Sequence, residues 1–106
     1  MENNLVLSNA RGLENEPEVY DFINSLPINS VFYDLGSCVG GFALHACYKG
    51  LKTVAFEVES LNYNEIIHNY ESNKHLLPKD HYFKSIQIGI ADKKGTTSLR
   101  IGQNDP

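Results

Sequence analysis

Long hydrophobic runs are missing from this chain of 106 residues. No stretch approaches the ~18 consecutive apolar residues of a membrane-spanning helix, so no membrane role is expected. The amino-terminal residues Met-Glu-Asn-Asn-Leu lack the basic cluster and apolar core of a secretion signal. An excess of basic charge is missing too. Nine Lys and Arg stand against thirteen Asp and Glu, for a net charge of −4. The basic residues are scattered, which excludes the clustered footprint of a nucleic-acid binder. Cysteine is scarce, and the spacing of Cys38 and Cys47 does not suggest zinc. A reducing compartment fits, and a cytoplasmic location is the default expectation. His45, His68, His75 and His81 form no metal-ligand pattern and read as solvated or boundary residues. Repeats and low-complexity tracts are absent as well.

What is present is an ordinary globular composition, 42% hydrophobic and 21% charged, enough for one small domain. Residues 1–27 read as an arm and a helix. The arm carries one apolar patch at Leu5-Val6-Leu7. The helix covers residues 16–25, with Asn15 as its cap, Pro17 in its first turn and Pro27 as its stop. Val19, Phe22, Ile23 and Leu26 make its apolar stripe.

Residues 28–106 alternate strand and helix. A first strand at about residues 30–35 is short and apolar, which predicts burial on both faces. A helix at about residues 39–49 ends at Gly50, a natural left-handed cap. A second strand spans about residues 53–57. The helix after it takes Ser60 as N-cap, and Tyr63, Ile66, Ile67 and Tyr70 share one face. Residues 76–82 contain Pro78 and read as a loop. A third strand at about residues 84–90 is followed by a turn, Asp92-Lys93-Lys94-Gly95, and a further strand over residues 96–101. The order predicts an α/β fold with a parallel sheet in order 3-2-1, one mononucleotide-binding half of a doubly wound architecture, plus a C-terminal β-hairpin.

The chemistry concentrates between Val31 and Glu57. An apolar strand ends in Asp34, the turn Gly36-Ser37-Cys38-Val39-Gly40 opens a helix, and the next strand ends in Glu57. Glycines let the backbone turn sharply and let a ligand approach it. The helix start offers N–H groups to an anion. An acid at Asp34 repels a pyrophosphate and suits an ammonium. A carboxylate at Glu57 can accept the two ribose hydroxyls of an adenosine. S-adenosylmethionine fits these demands. A nicotinamide fingerprint fits less well, because Cys38 stands where its middle glycine would be.

These residues also carry a resemblance. Asp34-Leu-Gly-Ser-Cys-Val-Gly40 is similar to the Asp-Val-Gly-Ala-Asn-Ile-Gly signature of the FkbM-type S-adenosylmethionine-dependent methyltransferases. Thr53-Val-Ala-Phe-Glu57 resembles that family's Val-x-Ala-Phe-Glu-Pro strand. Asn62-Tyr63, the stretch from Asn69 to Asn73, and Ile88-Gly-Ile-Ala-Asp92 resemble its next helix and third strand. The likeness covers about residues 28–101. Cys38 replaces an asparagine and Val58 a proline. The resemblance implies a partial Rossmann-like sheet of the class I methyltransferase type. It places Asp34, Gly36 and Gly40 at the methionine end and Glu57 at the ribose, with Ser37, Cys38 and Val58 as further cofactor-binding positions. Asp92 either reaches the adenine amino group or caps its own turn.

The expected activity is O-methyl transfer to an unidentified small-molecule hydroxyl, with no residue assignable as catalytic. The alternatives are a truncated half-domain that needs a partner or a missing C-terminal half, and a nicotinamide or flavin half-domain. A strand that would flank the first is not encoded. Its edge is therefore expected to be covered by a second copy or by the arm around Leu5–Leu7, unless the chain is part of a longer one.

Overall fold

The structure, a computed structural model, describes Leu5, Leu7 and residues 16–89. The predicted hairpin, Asp92 and Asn15 lie outside these residues. Helix α1, Pro17–Ser25, has Pro at its start, where the fixed φ of proline suits a helix and its missing N–H is not needed. Glu16 occupies the cap position without a side-chain bond. The buried stripe is Val19, Ile23 and Leu26, packed on Phe32, Phe42, Ala46 and Leu51. Phe22, assigned to that stripe from its spacing, is 58% exposed instead. Tyr20 lies against α2 in its place, edge-on to Phe42 and His45 at 5.0 and 4.9 Å.

Strands β1, Val31–Leu35, β2, Lys52–Phe56, and β3, Phe83–Ile86, form a parallel sheet in the order β1-β2-β3. This is the predicted order. Strand β3 ends earlier than expected, at Ile86.

Helix α2, Gly41–Tyr48, packs on the sheet and is flanked by both other helices, which explains its lack of a polar side. Ala46 meets α1, Ala43 meets Ala55 and Ile66, and Leu44 and Cys47 meet Leu77. Four of its buried residues are Gly41, Ala43, Ala46 and Cys47, whose small side chains allow close approach. Burial pushes the Cys47 thiol up to about 12, as suits a packing residue rather than a reactive thiol. Gly50 ends the helix at φ +101. Its N–H bonds to Cys47 and that of Leu51 to Ala46, a Schellman closure that aims the chain into β2.

Helix α3, Ser60–Asn73, is capped by Glu59, whose carboxylate accepts the Asn62 N–H at 2.8 Å. The expected cap, Ser60, is already inside the helix, and its hydroxyl accepts from Gln87. The buried face is Ile66, Asn69 and Asn73 rather than an all-apolar stripe, and Ile67 is outside it. A short 3-10 turn, Lys74–Leu76, follows.

All three helices lie against the face that carries Phe32, Thr53, Ala55 and Phe83. The opposite face of β1 is open, with Val31 62%, Tyr33 63% and Leu35 57% exposed. Burial of this strand on both faces was expected and is not observed among the described residues. Leu5 and Leu7 do not cover it. They pack on the cluster of Leu44, Cys47 and Leu77, as Phe83 of β3 also does, toward the other edge of the sheet. No helix among the described residues is long and apolar enough to cross a membrane.

Burial at α1 makes a direct test. Ile23→Ala should lower unfolding free energy by about 2–5 kcal/mol, and Phe22→Ala by less than about 0.5 kcal/mol, both read from urea denaturation. Equal losses would mean that α1 docks in a different rotation.

Candidate functional site

The site forms where β1 and β2 end. The Ser37 N–H donates to the Phe56 carbonyl at 2.8 Å, so strand-like pairing continues one step past β1. The chain then turns through Gly36, Cys38 and Gly40, all with positive φ, at +70°, +62° and +89°. Cys38 is the residue that pays steric strain there, since only glycine adopts this region freely.

One side chain holds the turn to β2. Glu57 is 7% exposed. Its Oε1 accepts the Cys38 N–H at 2.7 Å, and its Oε2 accepts the Glu59 N–H at 3.1 Å. Each carboxylate oxygen has a second lone pair. Glu57 is thus both latched and able to accept further bonds. From the other side, the buried Asn69 Nδ2 donates to the Val39 carbonyl at 2.9 Å. Sequence reasoning did not single out Asn69 for this role. An amide on the buried stripe of α3 was its only signal.

The two glycines are constrained differently. A Cβ on Gly36 would meet nothing within 4 Å, so its side faces open space. A Cβ on Gly40 would lie 3.3 Å from Ile66 Cγ1. The space beside Gly40 is filled by α3, so packing there demands glycine.

The open space beside Gly36 belongs to a cavity of about 430 Å³, lined by Gly36, Glu57, Val58, Leu35, Phe56 and the Ile88-Gly89 exit of β3. Of the residues expected from sequence, Gly36, Glu57 and Val58 wall it directly. Asp34, Ser37, Cys38 and Gly40 lie in the strand end and turn beside it. Ile88 and Gly89 were not singled out as site residues. Their signal was their place just past a strand's carboxyl end. Gly89 lets this exit pass Val58, whose Cβ would be 3.3 Å from an added methyl.

Asp34 is the electrostatic oddity. Burial pushes its carboxyl above the ordinary 3.8, the Ser37 hydroxyl bond at 2.9 Å opposes that, and the nearby Glu57 charge adds to it. Two acids side by side disfavour an anionic ligand and favour a cationic one.

No family model matches the sequence, and no curated protein matches it. Solved structures do match in fold. The C-terminal domain of precorrin-6Y C5,15-methyltransferase from Rhodobacter capsulatus aligns with TM-score 0.61 and 10% identity, over 80% of this chain and 44% of that one. A SAM-dependent methyltransferase from Agrobacterium tumefaciens aligns with TM-score 0.54 and 9% identity, over 70% and 23%. P. horikoshii TYW2 in complex with MeSAdo aligns with TM-score 0.56 and 15% identity, over 81% and 30%. The fold is therefore the Rossmann-like fold that these methyltransferases use. The chain spans less than half the length of each of the three.

A raised acid is a measurable liability. The folded state holds the Asp34 proton more tightly than the unfolded chain does. The stability from this group is full below pH 3.8 and is lost as pH rises through the higher folded value. Asp34→Asn should therefore raise the urea midpoint at neutral pH, and the gain should vanish below pH 3.8. A loss of stability at neutral pH would show that the charge, not the burial, holds the turn.

Proposed function

We propose that this chain binds S-adenosylmethionine at the carboxyl ends of β1 and β2 and serves methyl transfer, in the manner of the FkbM-type methyltransferases it resembles. The observation that carries the reading is Glu57, latched on the Cys38 N–H and walling a cavity on which Gly36 presents no side chain. Backbone beside open space is what a ligand pressed against a glycine turn requires. The residues present fit the cofactor. The free lone pairs of Glu57 would accept the ribose hydroxyls. Val58 and Ile88 would flank the base with apolar surface. The Asp34-Ser37 pair and turn N–H groups would meet the ammonium and carboxylate of the methionine end. Asp92, outside the described residues, would stand near the adenine.

When bound, the cofactor supplies an electrophilic methyl on a sulfonium. The chain's own contribution is orientation: Glu57, Cys38 and Asn69 hold the turn rigid before any ligand arrives. The paired acids support a cationic ligand and count against a pyrophosphate, which sets a nicotinamide cofactor behind S-adenosylmethionine. The acceptor proposed is a small-molecule hydroxyl, and the protein is proposed to act in the cytoplasm. Because the chain spans only part of its structural neighbours, the activity of a whole enzyme is part of this proposal.

Isothermal calorimetry with S-adenosylhomocysteine and, separately, NAD tests the reading. The first should bind and the second should not. Glu57→Ala should weaken S-adenosylhomocysteine by about 1.5–3 kcal/mol, the range for hydrogen bonds to a charged group. Gly36→Val should abolish binding by filling the open side of the turn, with circular dichroism checking that the variant folds. Unchanged titrations in both variants would remove the cofactor from this site.

A further inference from the structure

Backbone pairing between β2 and β3 reaches Glu57, whose N–H donates to the Ile86 carbonyl at 3.1 Å. Past that bond the two segments part. One runs through Val58 and Glu59 into α3, the other through Gln87 to Ile88 and Gly89. The candidate cofactor cavity lies where they separate, with Val58 lining it from one segment and Ile88 and Gly89 from the other.

Beyond the backbone bond the link is a side chain. The Gln87 Nε2 donates to the Ser60 hydroxyl at 2.9 Å and to the Val58 carbonyl at 3.3 Å. Both N–H groups of its amide are thus given to the segment that carries Val58. At the same place Gly89 allows close approach, since a Cβ there would lie 3.3 Å from the Val58 Cβ. Gly89 lets the two walls come together, and Gln87 keeps them from parting. The base of Gln87 is firm, because the preceding Ile86 is 2% exposed and paired with Phe56 in the ladder. Gln87 and Val58 are themselves exposed, so their contact is not part of the core. Helix α3 has its own tie to β3, the Tyr63 hydroxyl donating to the Ser85 carbonyl at 3.3 Å. Loss of the Gln87 bonds would therefore free Val58 and leave α3 docked.

We propose that Gln87 is a positioning residue for the cofactor. It holds Val58 at a fixed distance from Ile88 and Gly89, and so sets the width of the slot that takes the planar base of an adenosine ligand. The inference rests on the cofactor reading above and adds to it the residue that keeps the slot formed before the ligand arrives. A slot already formed spares the ligand the cost of ordering it.

Gln87→Met removes both donors at nearly constant size, and calorimetry with S-adenosylhomocysteine reads the effect. Binding should weaken about three- to tenfold, as for the loss of ordinary hydrogen bonds. The urea midpoint should stay near that of the wild type, since the side chain is on the surface. A double-mutant cycle separates positioning from general support. Val58→Ala removes most of the wall that Gln87 is argued to place, so in that background Gln87→Met should cost less than about twofold. An equal cost in both backgrounds, or a loss of affinity that follows a lowered urea midpoint, overturns the proposal. So does a Gln87→Met variant that binds as the wild type does while Glu57→Ala binds weakly, a result that leaves the cofactor reading standing. A wild type that does not bind S-adenosylhomocysteine removes the cofactor reading and this inference with it.

Discussion

The bond from the Cys38 N–H to the Glu57 carboxylate, 2.7 Å long, ties together what the rest of the candidate site depends on. It joins the turn after β1 to the residue after β2. The same carboxylate receives the Glu59 N–H at the approach to α3. A single nearly buried acid thus fixes two loop segments that would otherwise move independently. Charge-assisted bonds to backbone N–H groups are among the stronger hydrogen bonds available, and a carboxylate that makes two still has acceptor capacity. The group that would recognise a ligand is the group that builds the turn.

The turn is also held from behind. Asn69 reaches out of α3 to the Val39 carbonyl, and Ile66 fills the space beside Gly40. Helix α3 therefore presses on the turn while leaving the other side, at Gly36, open. Its own cap, Glu59, sits two residues beyond the latch. Packing, capping and the ligand-facing geometry are one connected arrangement. Against this stands Asp34, a carboxyl held above its ordinary pKa by burial and by the charge of Glu57. Acids raised in this way are a common mark of functional sites, where stability is traded for chemistry.

The sheet is asymmetric. One face carries three helices and the other presents Val31, Tyr33 and Leu35 to solvent. Leu35 continues from that face to the candidate cofactor cavity, where Phe56 stands beside it. The open face adjoins the wall of the candidate site. The structural neighbours are longer than this chain.

Much of this was legible in the chain itself. The alternation of short apolar strands with helices set the parallel order, because each element's period is a local property of its residues. Strand-terminal acids and a glycine turn pointed to the candidate site, since those residue types are chemically specific wherever the fold places them. Spacing did not decide which partners each group found. Phe22 has the right period for the core but points outward, because α2 offers its surface to Tyr20 and Ile23 instead. Ser60 has the right chemistry for a cap but lies one residue late, where Gln87 reaches it. Gly36 and Gly40 look equivalent in sequence, and only the position of Ile66 separates a glycine kept for open space from one kept for packing. The continuous apolar run of β1 could not show that one of its faces is open, since burial depends on elements far along the chain. Local periodicity and residue chemistry chose the fold and marked the candidate site; contacts between distant elements chose which neighbours each residue meets there.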